Sequence, residues 1–390
     1  MTGFLMDNYP PQPVTFVRGS GSRLWDADGK SYLDFLGGLA VTSLGHAHPV
    51  VAEAIAEQAR TLLHVCNLYG TTIGPEVAET LDRLIGGGGA ARPGGEPHGN
   101  VFFANSGAEA NECAIKLARK WGGPGKYAVV STYGSFHGRT LAALAATGQP
   151  TKHEPFQPLP EGFRYVAMGD MDAMEAAVDP QVVAAVLVEP IQGEGGVNVA
   201  PKGWLGEVRR LCDERDVLLM VDEVQTGLGR TGDWFAFQHD GIRPDVVTLA
   251  KALGNGMPIG ACWARAEVAS AFVPGDHGTT FGGQPLAAAA ARATLAVMEA
   301  EDVPARATRA GARLRDGLTA TAGVRSVRGR GLLLAAELVD RPARDVAAAA
   351  LDRGLVVNAV TPTAVRFAPS LLVTDDEVDE ALAVIEGILC

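Results

Sequence analysis

Between residues 100 and 249 the chain carries five short, unbroken apolar runs, at 100–105, 127–131, 184–189, 217–221 and 246–249. Runs this short that do not alternate with polar residues suit strands buried on both faces of a parallel sheet. Helical stretches separate them. Residues 107–120 bring Ala110, Cys113, Ala114, Leu117 and Ala118 to one face, and 204–215 follow a Pro-Lys-Gly start. This alternation predicts an α/β layer architecture with ligands at the carboxyl ends of the strands. Two of the runs end in charge: Val217-Leu218-Leu219-Met220-Val221 delivers Asp222, and Asp245-Val246-Val247-Thr248-Leu249-Ala250 delivers Lys251, with Gly254 and Gly256 behind it. Most lysines are solvated surface charges. One lifted on a buried strand reads instead as an amine held for covalent chemistry with a carbonyl, because burial lowers its proton affinity and frees the lone pair.

A chain of 390 residues can form two domains and a large core. Its 33 basic against 45 acidic residues, net −12, argue against nucleic acid or an anionic membrane as partner. Any anionic ligand must be held by a few local arginines. Cysteines 66, 113, 212, 262 and 390 are scattered, odd in number and without C-x-x-C spacing, which fits a reduced, cytoplasmic compartment. The first residues lack the pattern of a secretory signal, and no apolar run reaches bilayer-spanning length.

Beyond about residue 284 the character changes to an alanine-rich helix (285–300), strand-like stretches at 324–338, 354–360 and 364–369, and an amphipathic helix from Asp375. The first 45 residues also read as separate, with strands at 14–18, 23–25 and 31–36. A large domain over 46–284 is therefore expected, with a smaller α+β one assembled from 1–45 and 285–390. The glycine-rich stretch 86–99 has no Lys-Ser/Thr and opens no helix, so it reads as a flexible surface loop. His46-Ala47-His48 lacks further Cys or acidic ligands nearby and reads as a turn; no metal site is expected.

Ser106-Gly107-Ala108 follows a strand and opens a helix, which directs free N–H groups and the positive dipole end at whatever sits there. A Ser-Gly can equally be a simple helix cap. No G-x-G-x-x-G follows the first strand, and residues 120–127 fail as a P-loop at two positions. A phosphate-bearing aldehyde would use every feature found: the amine of Lys251, the helix N-terminus, and Asp222 to keep a ring nitrogen protonated. That set describes pyridoxal 5′-phosphate. Gln225 would then donate to the ring's phenolic oxygen, Val224 would back one ring face and Phe136 would cover the other.

The strings Ser-Gly-Ala-Glu-Ala-Asn-Glu (106–112), Phe-His-Gly-Arg-Thr (136–140) and Glu-Pro-Ile-Gln-Gly-Glu-Gly-Gly (189–196) resemble those of class III pyridoxal-phosphate aminotransferases. So do Asp-Glu-Val-Gln-Thr-Gly (222–227), Gly-Arg-Thr-Gly (229–232), Ala-Lys-Ala-Leu-Gly (250–254) and His-Gly-Thr-Thr-Phe-Gly-Gly (277–283). The match runs nearly end to end and is most similar to the acetylornithine/succinylornithine branch. The resemblance implies the fold-type I, aspartate-aminotransferase-like architecture, with a mostly parallel sheet in the large domain. It also implies a homodimer with shared active sites, in which Thr280 reaches the partner's phosphate. Lys251 would bond covalently to the cofactor and shuttle the proton, and Asp222 would support the charged ring.

The implied reaction moves the δ-amino group of N2-acetyl-L-ornithine to 2-oxoglutarate, giving N-acetyl-L-glutamate 5-semialdehyde and L-glutamate in arginine biosynthesis. Succinylornithine, ornithine, 4-aminobutyrate and N-succinyldiaminopimelate remain open as donors. Arg139 suits a distal carboxylate and Arg366 the α-carboxylate of glutamate, since arginine binds carboxylate as a planar fork. In the half-reaction that brings no such carboxylate, Arg366 would be a costly unpaired cation, and Glu194 is expected to pair with it. Thr279 is expected near the substrate and Tyr9 at the pocket mouth. Leu39 stands where ornithine aminotransferases have a tyrosine, which favours an acylated over a free α-amine.

Overall fold

The computed structural model describes residues 4–10, 12–86 and 97–390. Most of the glycine-rich stretch therefore lies outside the described residues. Strands β1 (Phe16–Ser20), β2 (Arg23–Asp26) and β3 (Ser31–Asp34) form an antiparallel meander near the amino end.

The centre of the molecule is a seven-stranded sheet. In chain order its strands are β4 (Gly99–Ala104), β5 (Ala128–Thr132), β6 (Phe163–Val166) and β7 (Val183–Val188); the short pair β8 (Ile191–Gln192) and β9 (Asn198–Val199) then intervenes. β10 (Leu218–Asp222), β11 (Val246–Leu249) and β12 (Gly260–Arg265) complete it in the spatial order β4-β12-β11-β10-β7-β5-β6. β5, β7, β10 and β11 are buried along their whole length, as expected of unbroken apolar strands between helical layers. β12 runs antiparallel to both β4 and β11, so the other strands all point their carboxyl ends to one edge.

In the seven-stranded sheet the expected strands are present with ends shifted by one residue at most, and two strands, β6 and β12, are additional, as is the short β8–β9 pair outside it. β6 is a half-buried edge strand whose sequence, Phe-Arg-Tyr-Val, gives no continuous apolar run. β12 begins Gly-Ala-Cys, a composition poor in strand formers. Tertiary packing explains the choice: a Cβ at Gly260 would sit 2.3 Å from the carbonyl oxygen of Ser106.

The stretch 324–338 divides at Gly331 into a hairpin of β13 (Val324–Arg330) and β14 (Leu333–Leu338). β15 (Leu355–Val356) leaves this part of the chain and pairs in parallel with β3, Leu355 opposite Leu33. β16 (Asn358–Ala359) and β17 (Ala364–Phe367) extend the hairpin in the order β13-β14-β17-β16. The final helix, Asp375–Leu389, starts in a capping box between Thr374 and Glu377. Arg230 ties these parts together: fully buried, it donates to the carbonyls of Pro369 (2.5 Å) and Leu332 (3.2 Å) and to Ser43 Oγ (2.9 Å).

Candidate active site

The edge where the strands end carries a cavity of about 450 Å3. It is lined from five strand ends: Asn105–Ala108 after β4, Phe136–Arg139 after β5, Glu189 and Glu194 after β7, Asp222 at the end of β10 with Val224 and Gln225 beyond it, and Ala250–Lys251 after β11. Parallel register sets the spacing. Asp222 lies opposite Thr248 on β11, which brings the carboxylate level with the end of the strand that presents Lys251.

Lys251 has φ +43°, a left-handed conformation uncommon for a side chain of its size. Its amine faces the cavity but is shielded from bulk solvent. Burial, aided by the charge of Arg366 and opposed by Glu194, Asp222 and Glu189, lowers its proton affinity below that of an ordinary lysine.

Asp222 is held from both sides. Its Oδ2 accepts from Asn111 Nδ2 and His137 Nδ1, each at 2.8 Å, and its Oδ1 accepts from the Val224 N–H at 3.0 Å. Asn111 is itself fixed, donating to the carbonyl of His137 (2.7 Å) and accepting from Thr248 Oγ1 (2.8 Å). His137 Nε2 meets Ser131 Oγ at 3.2 Å.

The sequence reading named neither Asn111 nor His137. The available signal was periodicity: Asn111 stands one turn after Gly107 on the same helix, so it shares the face that opens to the site. Glu189 was also missed, although it directly follows β7 much as Asp222 ends β10. Its Oε2 accepts from the Phe136 N–H at 2.9 Å, and burial, then the Asp222 charge, pushes its carboxyl well above the usual carboxylate range.

Ser106 caps the Gly107–Gly122 helix, its Oγ accepting from the Glu109 N–H at 3.2 Å. The N–H groups of Gly107 and Ala108 lie in the first turn, where a helix offers them no carbonyl of its own. Two glycines let Val224 and Gln225 pack close against the backbone beside the cavity. A Cβ at Gly107 would meet Val224 Cγ1 at 2.8 Å, and one at Gly193 would meet Gln225 Oε1 at 1.9 Å.

Beside the cavity, Arg366 projects from β17 with 1% exposure. Its Nη1 donates to Glu194 Oε1 (2.6 Å), the Gly193 carbonyl (3.2 Å) and Gln225 Oε1 (3.2 Å), and its Nε to Asn358 Oδ1 (3.1 Å). The buried Nη2 has no partner. Burial works to raise the Glu194 carboxyl, but the charge and hydrogen bond of Arg366 outweigh it and hold the group below its ordinary value. Arg139 is exposed, with its guanidinium 5.6 Å from the centroid of the Phe136 ring.

Three of the named residues lie elsewhere in this chain. Thr279 and Thr280 line a second depression, of about 920 Å3, with Asn67, Tyr69 and Phe103. Thr279 keeps a link to the first cavity, its Oγ1 accepting from Asn105 Nδ2 at 3.4 Å. Tyr9 is 73% exposed and lines neither cavity, and at the mouth of the first it is Val41 rather than Leu39 that takes part. His46 of the His-Ala-His turn pairs with Asp34 at 2.7 Å.

A buried amine and a carboxylate at adjacent strand ends, beside an open helix N-terminus, define a fold-type I pyridoxal-phosphate site on an α/β sheet. The family model for aminotransferase class III matches residues 5–389, and the chain belongs to that family. The chain is 48% identical over 387 residues to the acetylornithine aminotransferase of Corynebacterium efficiens, covering 99% of this chain and 94% of that one. Among solved structures, the ornithine aminotransferase of Toxoplasma gondii, which carries pyridoxal phosphate at partial occupancy, superposes with a TM-score of 0.91 at 37% identity, covering 99% of this chain and 92% of that one. N-acetylornithine aminotransferase from Stenotrophomonas maltophilia gives 0.82 at 38%, covering 97% and 96%.

The protein is accordingly a pyridoxal-phosphate-dependent transaminase, and the cavity suits that cofactor. The helix N-terminus at Gly107 and Ala108 opens onto it, as a phosphate requires, and the carboxylate of Asp222, held by Asn111, His137 and a backbone N–H, sits on its wall, as a protonated ring nitrogen requires. Among the described residues no helix is long and apolar enough to cross a membrane.

Proposed function

We propose that this chain transfers the δ-amino group of N2-acetyl-L-ornithine to 2-oxoglutarate, yielding N-acetyl-L-glutamate 5-semialdehyde and L-glutamate, a step of arginine biosynthesis. The observation that carries the reading is the buried Arg366, whose Nη2 is unpartnered and whose charge is met by the single carboxylate of Glu194. A glutamate α-carboxylate would displace Glu194 and take both guanidinium nitrogens as a fork. Acetylornithine brings no carboxylate to its reacting carbon, so in that half Glu194 stays in place. Similarity to acetylornithine aminotransferases over nearly the whole chain supports the same donor.

In this mechanism the first-turn N–H groups of Gly107 and Ala108, with Ser106, would hold the cofactor phosphate. Phe136 and Val224 would lie against its ring, Gln225 would donate to the phenolic oxygen, and Asp222 would hold the ring-nitrogen proton. Bound there, pyridoxal 5′-phosphate supplies an aldehyde carbon and an electron-poor ring that takes up the electron pair of a broken C–H bond. Lys251, with its lowered proton affinity, would be available as a free amine beside the cofactor's aldehyde, and its Nζ would take a proton from the reacting carbon of the substrate and return it. Arg139, set on the exposed side of Phe136, receives the far carboxylate of either substrate.

The assembly belongs to the same proposal: a homodimer in which Thr279 and Thr280, beside the exposed Leu68, Tyr69 and Phe281, complete the partner's site, within the cytoplasm. The domain division at residues 45 and 284 follows the same reading. A half-reaction screen tests the donor. Holoenzyme is mixed with acetylornithine, succinylornithine, ornithine or 4-aminobutyrate, and the decay of the cofactor's visible band is followed. Acetylornithine should react fastest; equal or faster decay with free ornithine or 4-aminobutyrate overturns the assignment.

A further inference from the structure

Away from the active-site cavity, the same helix and sheet enclose a second group of reactive side chains. Cys113, in the middle of the Gly107–Gly122 helix, and Cys262, on β12, are 1% and 3% exposed, and their thiols are in hydrogen-bond contact. Both line a cavity of about 170 Å3, with Phe102, Leu117, Ala264 and Phe272 as apolar walls. A water molecule fills roughly 30 Å3, so a peroxide has room to reach the sulfurs. His277 is hydrogen-bonded to Cys113 and accepts from Lys116 Nζ at 2.9 Å, so a positive group stands behind one thiol and not the other.

We propose that Cys113 and Cys262 are a peroxide-responsive thiol pair whose disulfide ties the phosphate-binding helix to β12. Geometry assigns the roles. Cys113, facing the His277–Lys116 pair, is the attacking sulfur; Cys262, with no cation beside it, is the resolving one. The donated hydrogen of Cys262, working against burial and helped by His277 and Lys116, brings the Cys113 thiol down to about 6, whereas Cys262 is pushed well above an ordinary thiol.

The Cys113 thiolate attacks one oxygen of hydrogen peroxide; the O–O bond breaks, leaving a sulfenic acid on Cys113 and a hydroxide that is protonated to water. The Cys262 sulfur then attacks the Cys113 sulfur, its proton leaves with the displaced hydroxide as a second water, and the disulfide forms. Two thiols lose two electrons and the peroxide gains them. Cys113 lies less than two helical turns from Gly107 and Ala108. Cys262 is paired in register with Thr248, which anchors Asn111. Replacing a non-bonded contact by a covalent one therefore draws the helix toward β12 and shifts the first turn off the cofactor phosphate.

The test treats holoenzyme with one equivalent of hydrogen peroxide and maps its thiols by peptide mass. A cross-linked peptide containing residues 113 and 262 is expected, formed about tenfold faster than any oxidation of the exposed Cys390 and reversed by dithiothreitol. The oxidised protein should bind pyridoxal phosphate about tenfold more weakly, a shift that reduction restores. In Cys262→Ala, Cys113 should stop as a dimedone-reactive sulfenic acid. The inference fails if 113 and 262 stay reduced while Cys66 and Cys390 react, or if the cross-linked form keeps its cofactor as tightly as before. The peptide map does not depend on the amine donor, so it stands or falls apart from the proposed reaction.

Discussion

Asp222 and Arg366 are both buried, both charged and both beside the same cavity, yet the protein holds them in different ways. Every oxygen of Asp222 is engaged, by Asn111 and His137 on one side and by a backbone N–H on the other. Those partners are themselves fixed by Thr248, Ser131 and a carbonyl. Arg366 has one nitrogen crowded with three acceptors, another with none, and a single anionic partner whose side chain is 32% exposed. A fully satisfied polar network specifies one arrangement, whereas a partly satisfied one leaves room for a second. The first suits a charge that must not move between half-reactions. The second suits a charge whose partner is exchanged.

Four measurements bear on that contrast. Lys251→Ala, which removes the amine both regions serve, should lower turnover by about four orders of magnitude in a protein that still melts cooperatively. Normal turnover would leave neither region with a reaction to support. Arg366→Ala should slow the glutamate half-reaction about a hundredfold while changing the acetylornithine half by less than about threefold, read by single-turnover absorbance. Equal losses in both halves would make Arg366 as fixed as Asp222 and erase the distinction.

Asn111→Ala leaves the Thr248 hydroxyl without its acceptor and Asp222 Oδ2 with one donor instead of two. Stability should fall by about 1–3 kcal/mol in denaturant titrations. A variant as stable as the parent would show that the network is not what holds the carboxylate.

Glu194→Gln should have the smallest effect, about 1 kcal/mol or less after allowance for solvent screening. Because Arg366 holds the folded Glu194 carboxyl below its unfolded value, the pair stabilises the fold above about pH 4.3, and that contribution disappears as pH falls through the lower folded value. Parent and variant should differ in melting temperature at neutral pH and converge in acid; a gap that widens on acidification would reverse the sign.

How much of this could be read beforehand depends on the range of the interaction. Lys251, Asp222, Phe136 and Gln225 lie in or next to short strings whose local pattern, an apolar run followed by a polar residue, already places them at strand ends. Asn111, His137 and Glu189 were not legible as functional because their meaning is their partner: Asn111 meets Asp222 across 111 positions and Phe136 meets Glu189 across 53. Glu194 and Arg366, 172 positions apart, were paired by family resemblance alone. β12 escaped notice for a related reason. Its Gly-Ala-Cys start is a poor strand by composition and exists because Gly260 must pass within contact of the Ser106 carbonyl.

The sequence by itself determined the layered α/β architecture and the two charged strand ends, since burial of unbroken apolar runs admits few other solutions. Tertiary structure alone decided that Asn111, Thr248 and His137 converge on Asp222, that Arg366 keeps a bare nitrogen, and that two cysteines 149 positions apart touch. Strand and helix formation answer to neighbours along the chain, while hydrogen-bond partners are chosen by sheet register and helix docking, which no local stretch of residues encodes.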